Sequence, residues 1–339
     1  MTSSQKILTR TEIRLALPSK GRLAQNALDL LTSAGLRIHK PNPRQFKATV
    51  PNLPGLVVLF QRASDIVVGV RNGSVDFGIT GGDVIAEKRG DSNKVLTLLD
   101  NLDFGYCSLN VIIPEKLETV YTMADLARYR DSLGRPLRVA TKFPQLTSVF
   151  LTEHNLEDSR LIFAEGTLEV APTIGYADLI VDLVSTGTTI RDNRLRKIKD
   201  GLIMRSQAWL IANRDALKTR PEVLTIAHSL LEFIVAHLRA AENVLLSANV
   251  RGETPEAIAE RVFSQTVIRG LQGPTIAPIL TRSGERWYDV NIVVRKTQLA
   301  HAIAELRAIG GSGVIATPVV YIFEEEPAAY QQMLRALED

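Results

Sequence analysis

The 339-residue chain is too long for one ordinary hydrophobic core, so its length predicts two or three domains. Hydrophobic residues make up 45% and charged residues 23%, a balance that excludes disordered and fibrous proteins. The net charge of +3 is the small difference between 40 basic and 37 acidic residues. No long run of Lys and Arg forms the basic stripe of a nucleic-acid-binding protein, and the densest cluster, 191–199, indicates a solvated face or an anion site.

Cysteine usage and apolar runs bear on the cellular compartment. The single cysteine, Cys107, excludes an internal disulfide, and its strand-like segment CSLNVII favours core packing over a catalytic thiol. Residues 1–10 lack the apolar core of a secretion signal, and no uninterrupted apolar run approaches the ~20 residues that span a bilayer. We therefore expect a cytoplasmic protein that does not bind a membrane.

Short apolar strands alternate with helices over the first two thirds of the chain. A first series predicts strands at 13–17, 56–60 and 75–80, with helices at 23–34 and 64–72. A second series predicts strands at 108–113, 137–140, 161–163 and 178–184, with helices at 123–130, 146–154 and 169–174. A strand at 207–211 returns after this series. The alternation predicts mostly parallel sheets and two α/β lobes with a ligand-binding cleft between them.

The last third of the chain predicts a different unit. A long amphipathic helix at 221–242 leads to strands at 244–250, 275–281, 287–294 and 314–323, with helices at 255–263 and 298–309. This βαββαβ order is that of the ferredoxin-like unit. The unit carries no catalytic cluster, so a regulatory or assembly role suits it better. The tail predicts a short terminal helix.

The segment 178–192 is the most informative for chemistry. An apolar strand ends in Asp182, and Ser185, Thr186, Gly187, Thr188 and Thr189 follow. Such a strand-to-helix turn directs backbone N–H groups and hydroxyls at one point and favours an anion there. An acid just before it suits ribose hydroxyls or the Mg²⁺ that accompanies a pyrophosphate. A plain polar turn with a capping threonine is the structural alternative.

Three further stretches could carry function. In LALPSKGRL, Lys20 and Arg22 flank Gly21 in a turn suited to an anion, or form an exposed basic turn. In DFGITGGD, the glycines before Asp83 permit either close approach to a ligand or the tight start of a helix. In EGTLEVAP, Glu169 either contacts a substrate or favours a helix N-terminus. No Ser-His-Asp, CxxC or HExxH arrangement exists, which argues against hydrolase, redox and zinc chemistry.

Taken in chain order, these stretches resemble the ATP phosphoribosyltransferases that catalyse the first step of histidine biosynthesis. The most specific segments are LALPSKGRL, VDFGITGGD, LDFGYCSLNV, EGTLEVAP and DLVSTGTT, and the similarity runs from Ile13 to about Phe323. The resemblance implies an α/β fold: a two-lobed, periplasmic-binding-protein-like catalytic part plus a C-terminal ferredoxin-like (βαββαβ) regulatory domain. The expected bounds are 12–106 with 205–242 for lobe I, 107–204 for lobe II and 243–325 for the regulatory domain.

The resemblance also implies a reaction. ATP and phosphoribosyl pyrophosphate give N1-(phosphoribosyl)-ATP and pyrophosphate with Mg²⁺, in a homohexamer built from dimers that histidine inhibits. The implied catalytic residues are Asp182 and Glu169, and the implied donor-phosphate residues are Ser185, Thr186, Gly187, Thr188 and Thr189. The implied residues on the ATP or pyrophosphate side are Lys20, Gly21, Arg22, Arg62 and Asp83. No motif identifies the metal ligands, and the loop residues Gly311 and Ser312 are the candidates for a histidine site.

Two other functions remain open from the sequence alone. A non-catalytic two-lobed binding protein would share the lobe arrangement, although it has no need of a donor-type phosphate loop. A phosphoribosyltransferase that acts on another base would need the same loop and a different acceptor.

Overall fold

The structure, a computed structural model, describes residues 11–42, 45–90, 92–164 and 166–338. Residues 1–10, which are expected to lack a secretion signal, and Glu165 of the EGTLEVAP stretch lie outside the described residues. The chain divides into two compact units, one formed by residues 1–229 and 329–339 and the other by residues 230–328.

The secondary structure follows the predicted alternation. The strands are β1 (Ile13–Pro18), β2 (Lys47–Thr49), β3 (Leu56–Gln61), β4 (Phe77–Gly81), β5 (Val95–Leu99), β6 (Cys107–Pro114), β7 (Arg138–Thr141), β8 (Arg160–Phe163), β9 (Leu179–Val184), β10 (Leu195–Ser206), β11 (Ala208–Asn213), β12 (Asn243–Arg251), β13 (Thr275–Ile279), β14 (Trp287–Arg295) and β15 (Gly311–Pro318). The helices are α1 (Arg22–Ser33), α2 (Ala63–Arg71), α3 (Gly82–Lys88), α4 (Met123–Leu133), α5 (Pro144–Glu153), α6 (Thr188–Asp192), α7 (Arg214–Thr219), α8 (Pro221–Ala241), α9 (Pro255–Phe263), α10 (Leu299–Ala308) and α11 (Ala328–Glu338).

The larger unit contains two sheets, each with its own core. The first has the order β2-β3-β1-β4-β11-β5 and the second the order β10-β6-β9-β7-β8. In the second sheet, Val139 and Val181 face one buried cluster while Ala140 and Ile180 face another, so both sides are covered. Strands covered on both faces are continuous apolar runs, which is the pattern that their sequences show.

The expectation of mostly parallel sheets is wrong. β1 pairs in parallel with β3 and β4, and β7 pairs in parallel with β8 and β9, but β6, β10 and β11 pair antiparallel with their neighbours. The reason lies in the connections. At β5–β6 and at β10–β11 the chain crosses from one sheet to the other, so β6, β10 and β11 are not joined to their pairing partners by the single crossover helix that links adjacent parallel strands.

The smaller unit has one antiparallel sheet in the order β13-β14-β12-β15. Alternate residues of β12, such as Leu246 and Ala248, are buried against Ile258 of α9 and Leu306 of α10. The elements follow the predicted βαββαβ order. Strand β15 begins at Gly311 rather than at 314 and ends at Pro318, because its backbone already pairs with Val250 at Gly311.

The helix expected at 169–174 is also wrong. Only a 3₁₀ turn, Leu168–Val170, forms there. It begins after Thr167, whose φ of 49° is unusual for a residue other than glycine. The N–H groups of Tyr176 and Ala177 both bond to the Ala171 carbonyl, which closes the segment into a turn instead of extending a helix.

Helix α8 is long and apolar enough, by length and composition alone, to cross a membrane, with a mean hydropathy of 1.4 over its most apolar window. The core helix of a soluble protein passes the same test, and 44% of that window is buried inside the molecule. The three sheets formed by the described residues lie within the ranges expected for the two lobes and the C-terminal domain, apart from the last two residues of β10. The domain boundaries themselves stay a prediction.

Candidate active site

Three turns meet at one edge of the first sheet. Because β1, β3 and β4 are parallel, their carboxyl ends coincide, with Pro18 opposite Gln61. The Ser19 N–H bonds to the Gln61 carbonyl at 2.8 Å, which places the Lys20 turn beside Arg62. The third turn, at the end of β4, starts α3. The carboxyl edge of parallel strands is where α/β proteins bind ligands.

The basic turn depends on the backbone conformation of Gly21. Its φ of 78° and ψ of −174° belong to a region that is essentially restricted to glycine, and open space surrounds the position where a Cβ would lie. Glycine is therefore required here by the backbone rather than by crowding. Lys20 and Arg22 are exposed on either side of it, and Arg62 is exposed at the start of α2.

A second set of chain ends lies at the edge of the second sheet. In the parallel strands β7, β8 and β9, Thr141 lies opposite both Phe163 and Val181. The next residues along these strands, Lys142 and Asp182, therefore lie at the same level of this edge. Sequence analysis missed Lys142, although it directly follows a buried strand. Asp182 lies within β9, two residues before its end, rather than at the strand end that the sequence predicted, because Leu183 and Val184 still pair with β6.

Asp182 is a largely buried carboxylate among charged neighbours. Burial raises the pKa of Asp182 and the Glu169 carboxylate raises it further, while the Leu183 N–H, which donates to Asp182 Oδ1 at 2.8 Å, and the Lys142 ammonium lower it. Glu169 is half-buried in the 3₁₀ turn after β8. The structure thus brings the two predicted catalytic acids together and adds a lysine to them.

The hydroxyl-rich loop follows β9 as the sequence predicted. Gly187, with φ 75° and ψ 6°, is the left-handed residue that begins α6, and no side chain caps that helix. The capping-threonine alternative is therefore not what the structure shows. Thr186 and Thr188 place their hydroxyl oxygens 3.3 Å apart, and the side chains of Ser185 and Thr189 are also exposed. The loop presents several hydroxyls and unpaired helical amides to one region.

The two sheet edges face each other. The Arg22 guanidinium donates a long hydrogen bond, 3.4 Å, from Nη2 to Ser185 Oγ. The basic turn of the first sheet therefore reaches the hydroxyl loop of the second, and the structure unites the two motifs that the sequence could only place on separate strands.

Asp83 has a different position from its neighbours in the motif. Its side chain is only 3% exposed, and Ser206 Oγ donates to Asp83 Oδ1 at 2.6 Å while the Asp83 N–H donates back to Ser206 Oγ at 2.9 Å. Burial raises the pKa of Asp83. A Cβ on Gly81 would lie 2.3 Å from Asp83 Oδ1, and one on Gly82 would lie 2.6 Å from the Trp209 ring. The tight-helix-start alternative accounts for these glycines.

Cys107 lies near the same buried pair. Burial and the Asp83 charge raise the pKa of the Cys107 thiol to about 11. The reactive form of cysteine is the thiolate, which is scarce at neutral pH with such a pKa. The raised pKa thus favours a packing role for the thiol over a catalytic one.

An open concavity of about 710 Å³ adjoins the basic turn. Its walls include Lys20 and Gly21 together with the apolar side chains of Leu28 and Phe46. Lys40 also contributes, with its Nζ 4.3 Å from the centre of the Phe60 ring. Aromatic walls beside lysines suit a flat heterocycle that carries phosphates.

No group of three or more His, Cys, Asp or Glu side chains suitable for a metal ion occurs within the described ranges 11–42, 45–90, 92–164 and 166–338. The expected histidine-site residues, Gly311 and Ser312, lie in β15 rather than in a loop. Ser312 Oγ donates to the Asn249 carbonyl at 3.4 Å, and a Cβ on Gly311 would lie 2.5 Å from the Leu306 carbonyl oxygen. Close packing of β15 on the end of α10 thus accounts for the glycine.

Known proteins resemble the chain over nearly its whole length. Residues 62–237 match the family model HisG: ATP phosphoribosyltransferase, and residues 240–321 match HisG, C-terminal domain. ATP phosphoribosyltransferase 2, chloroplastic, of Arabidopsis thaliana is 41% identical over an alignment of 345 positions, which covers 99% of this chain and 83% of the relative. ATP phosphoribosyltransferase of Bradyrhizobium sp. (strain ORS 278) is 33% identical, covering 94% of this chain and 96% of the relative.

A solved structure shares the fold. It is entitled ATP phosphoribosyl transferase (HisG:HisZ) complex from Thermotoga maritima, and it superposes with a TM-score of 0.51 at 24% identity. The match covers 66% of this chain and 98% of that chain.

Proposed function

Since the chain belongs to the ATP phosphoribosyltransferase family, we propose that its two facing sheet edges bind the two substrates of that enzyme, one at each edge. The protein is a pentosyltransferase of histidine biosynthesis. In the proposed reaction, the lone pair of adenine N1 forms a bond to C1 of the ribose, and the bond from C1 to the pyrophosphate oxygen breaks with its electron pair. The observation that carries the proposal is the contact between Arg22 and Ser185.

The donor, phosphoribosyl pyrophosphate, is assigned to the second edge. The hydroxyls and amides of 185–189 would hold its 5′-phosphate, since an exposed, uncapped helix start favours an anion. Asp182 and Glu169, which lie close enough for the charge of Glu169 to raise the pKa of Asp182, would accept hydrogen bonds from the ribose hydroxyls. An oxocarbenium-like transition state carries positive charge on the ribose, so the same carboxylates would stabilise it.

The acceptor, ATP, is assigned to the first edge. Lys20, Gly21, Arg22 and Arg62 lie at that edge, and Arg22 contacts the donor loop through Ser185. The concavity beside Lys20 offers apolar walls for adenine. Asp83 supports this edge from behind, because its buried bond to Ser206 fixes the start of α3. We therefore assign it a structural role rather than contact with the nucleotide.

The absence of a strong general base among the assigned residues agrees with the chemistry. N1 of adenine already has a free lone pair, so no proton must be removed before attack. Alignment of the two substrates can supply roughly 7–11 kcal/mol of the barrier, and cations such as Arg22 would stabilise the leaving pyrophosphate.

The family is metal-dependent, and we propose Mg²⁺ as the ion. Mg²⁺ is usually bound by one or two carboxylates plus substrate phosphates rather than by a full protein cage. Asp182 and Glu169 are the carboxylates that fit, and they meet this requirement without a third acid. When bound, the ion would neutralise charge on the pyrophosphate.

Architecture and regulation complete the proposal. The βαββαβ order and the sheet order of the smaller unit support a ferredoxin-like regulatory domain, and the two sheets of the larger unit support periplasmic-binding-protein-like lobes. We propose that the protein is cytoplasmic, that it assembles as a homohexamer built from dimers and that histidine inhibits it through the smaller unit.

A product assay tests the proposal. The pure protein is incubated with ATP, phosphoribosyl pyrophosphate and Mg²⁺, and the N1-ribosylated nucleotide is sought by its ultraviolet change and its mass. We expect that product together with pyrophosphate. A binding protein would give no product, and a transferase for another base would consume the donor only with a different acceptor; either result would overturn the proposal.

A further inference from the structure

A buried carboxylate links the two lobes behind the candidate active site. Glu87, near the end of α3, is 1% exposed. Its Oε1 accepts the N–H of Gln145 and its Oε2 accepts the N–H of Leu146, both at 3.0 Å. These are amides of the first turn of α5, on the second sheet, whereas α3 packs with α2 and β4 of the first.

The first turn of α5 needs such a partner. The helix has Pro144 at its first position, and its N-cap residue, Phe143, offers no side-chain hydrogen bond. Helical amides of the first turn have no partner within the helix, and burying them without an acceptor is costly. A carboxylate at this end also interacts favourably with the helix dipole. Glu87 thus supplies from the first lobe the cap that the second lobe lacks.

Helix α3 is attached to the second sheet at both ends. Asp83 and Glu87 are four residues apart and therefore lie on one face of the helix. Asp83 bonds to Ser206 of β10, and Glu87 bonds to α5. Two buried acids on one face consequently fix this short helix against the opposite lobe.

The turn before α5 carries Lys142 to the donor edge. The Phe143 N–H donates to Thr141 Oγ1 at 3.0 Å, and Thr147 Oγ1 of α5 donates to the same oxygen at 3.4 Å. Both threonines are fully buried, so the turn and the helix form one ordered structure. A movement of α5 would therefore move Lys142 relative to Asp182.

A cation beside Asp182 and Glu169 would reduce the repulsion between negative charges at the donor edge. Asp182 and Glu169 face one region in which the proposed donor carries several negative charges. Even with the proposed Mg²⁺ bound, two carboxylates and the donor together carry excess negative charge, which a fixed cation nearby would reduce. Lys142 lies level with Asp182 on the neighbouring strand, and it also lines a cavity of about 330 Å³ between the lobes, together with Ser64 and Glu87.

We propose that Lys142 is the charge partner of Asp182 and Glu169 in the transfer reaction, and that Glu87 is a positioning residue that acts through Lys142 by holding the start of α5 against the first lobe. This inference rests on the proposed function. It adds a residue of the first lobe that acts on the donor edge through the position of Lys142.

A double-mutant cycle on the full-length protein tests the inference. The variants are Glu87→Gln, Lys142→Met and the double variant, each assayed for kcat and for the KM of both substrates. We expect each single variant to lose about tenfold to a hundredfold in kcat/KM for the donor, since small displacements near reacting groups cost that much. The KM for ATP should change less than about twofold, because both substitutions perturb only the donor edge.

The coupling between the two sites is decisive. If Glu87 acts through Lys142, Glu87→Gln should have almost no further effect on donor kinetics in the Lys142→Met background. Additive losses would overturn the positioning role. Lys142→Arg, which keeps the charge, should recover most of the activity, and no recovery would overturn the charge-partner role.

A matched control separates positioning from stability. Glu305 is likewise a nearly buried carboxylate that accepts backbone N–H groups, those of Thr266, Val267 and Ile268 in the smaller unit, so Glu305→Gln removes a comparable carboxylate away from the site. It should lower the unfolding temperature without changing donor kinetics. Where Glu87→Gln does not fold, Glu87→Asp replaces it, because it retains the charge and shortens the reach by one methylene. Wild-type protein that forms no product would overturn the proposed function itself, whereas active wild type with an additive cycle would overturn only this inference.

Discussion

Arg22 and Ser185 are 163 positions apart in the chain, and the guanidinium of the first donates a 3.4 Å hydrogen bond to the hydroxyl of the second. Arg22 is the first residue of α1, after β1, and Ser185 follows β9, so the contact joins the carboxyl edges of two different sheets. A basic turn and a hydroxyl loop that each fit an anion separately thus form one candidate site.

Removal of the Arg22 guanidinium should impair both substrates. For Arg22→Ala we expect kcat/KM to fall about tenfold to a hundredfold, since hydrogen bonds to charged groups contribute about 1.5–3 kcal/mol. Steady-state kinetics with each substrate varied in turn measures the loss. Arg37→Ala removes another exposed arginine just after the same helix and should leave the kinetics unchanged. An Arg22→Ala enzyme with wild-type constants would separate the basic turn from the reaction.

The left-handed glycine of the donor loop offers a second test. Gly187→Ala should raise the donor KM at least about tenfold, because a Cβ at φ 75° strains the turn by about 1 kcal/mol or more and displaces the amides. Gly175 has the same φ and open space around its Cβ position, so Gly175→Ala imposes similar strain away from the loop. Both variants should lose similar stability in thermal unfolding. Equal donor KM values for the two would refute the loop assignment.

The Asp182 carboxylate is expected to lower the stability of the fold while it supports turnover. Because burial raises its folded-state pKa above the ordinary value of 3.8, the buried carboxylate is a destabilising charge once it ionises, and its cost to the free energy of unfolding grows as pH rises through the raised pKa. Asp182→Asn should therefore unfold at the same or a higher temperature than wild type at pH 7, while kcat falls at least about tenfold. Thermal unfolding and kcat on the same preparation check both directions.

The raised pKa of Asp182 also predicts how kcat/KM for the donor depends on pH. If the ionised form of Asp182 is active, kcat/KM for the donor falls as pH decreases through its pKa, which lies above 3.8. Lys142→Met removes the cation that lowers this pKa and leaves Glu169, which raises it, so the acid limb should move to higher pH. A limb at the same pH in both proteins would exclude Asp182 as the titrating group.

The elements of this site differ in how far sequence predicts them. The strands and turns that carry Lys20, Asp182 and Gly187 follow from local patterns, because a buried strand and the polar residues at or after its end lie within one short segment. Glu87 does not, because its partners are 58 and 59 positions away and its own neighbours resemble an exposed helix end. The same holds for Asp83, whose burial depends on Ser206, 123 positions along the chain.

Glu305 should stabilise the smaller unit without affecting catalysis. Its carboxylate accepts the N–H groups of Thr266, Val267 and Ile268, and, although burial opposes ionisation, these bonds and the Thr266 hydroxyl lower the pKa of Glu305 to about 2. The stabilisation is present above the ordinary value of 4.5 and is lost as pH falls toward 2.

Glu305→Gln tests this role. It should cost about 1–3 kcal/mol at pH 7, because the charge and one of the two acceptor oxygens for these amides are lost, and the difference from wild type should shrink as pH falls below about 4. Trp287 lies in this unit, so denaturant unfolding followed by fluorescence in a Trp209→Phe background reports on it separately. Glu256→Gln, an exposed acid in the first turn of α9, should cost much less. An equal cost for both would show that the amide contacts contribute nothing.

Histidine should act through the smaller unit, and substitution tests this better than truncation. A chain ending near Glu242 also loses α11, whose Ala336 carbonyl accepts a hydrogen bond from Arg214 and whose Tyr330 ring contacts His228, both in the larger unit. Such a truncation would disturb the catalytic part directly. Ser312→Ala leaves α11 in place and removes only the hydroxyl that bonds to the Asn249 carbonyl.

For the full-length protein, we expect histidine to lower activity and to change Trp287 fluorescence at the same concentrations. Ser312→Ala should raise the half-inhibitory concentration about tenfold with unchanged kcat, which corresponds to one lost hydrogen bond at the upper end of the usual range. Thr317→Ala, an exposed residue of the same strand, serves as the control. Inhibition with an unchanged Trp287 signal would place the histidine site outside this unit. Equal sensitivity of Ser312→Ala and wild type would remove Ser312 from the site while leaving the unit as its location.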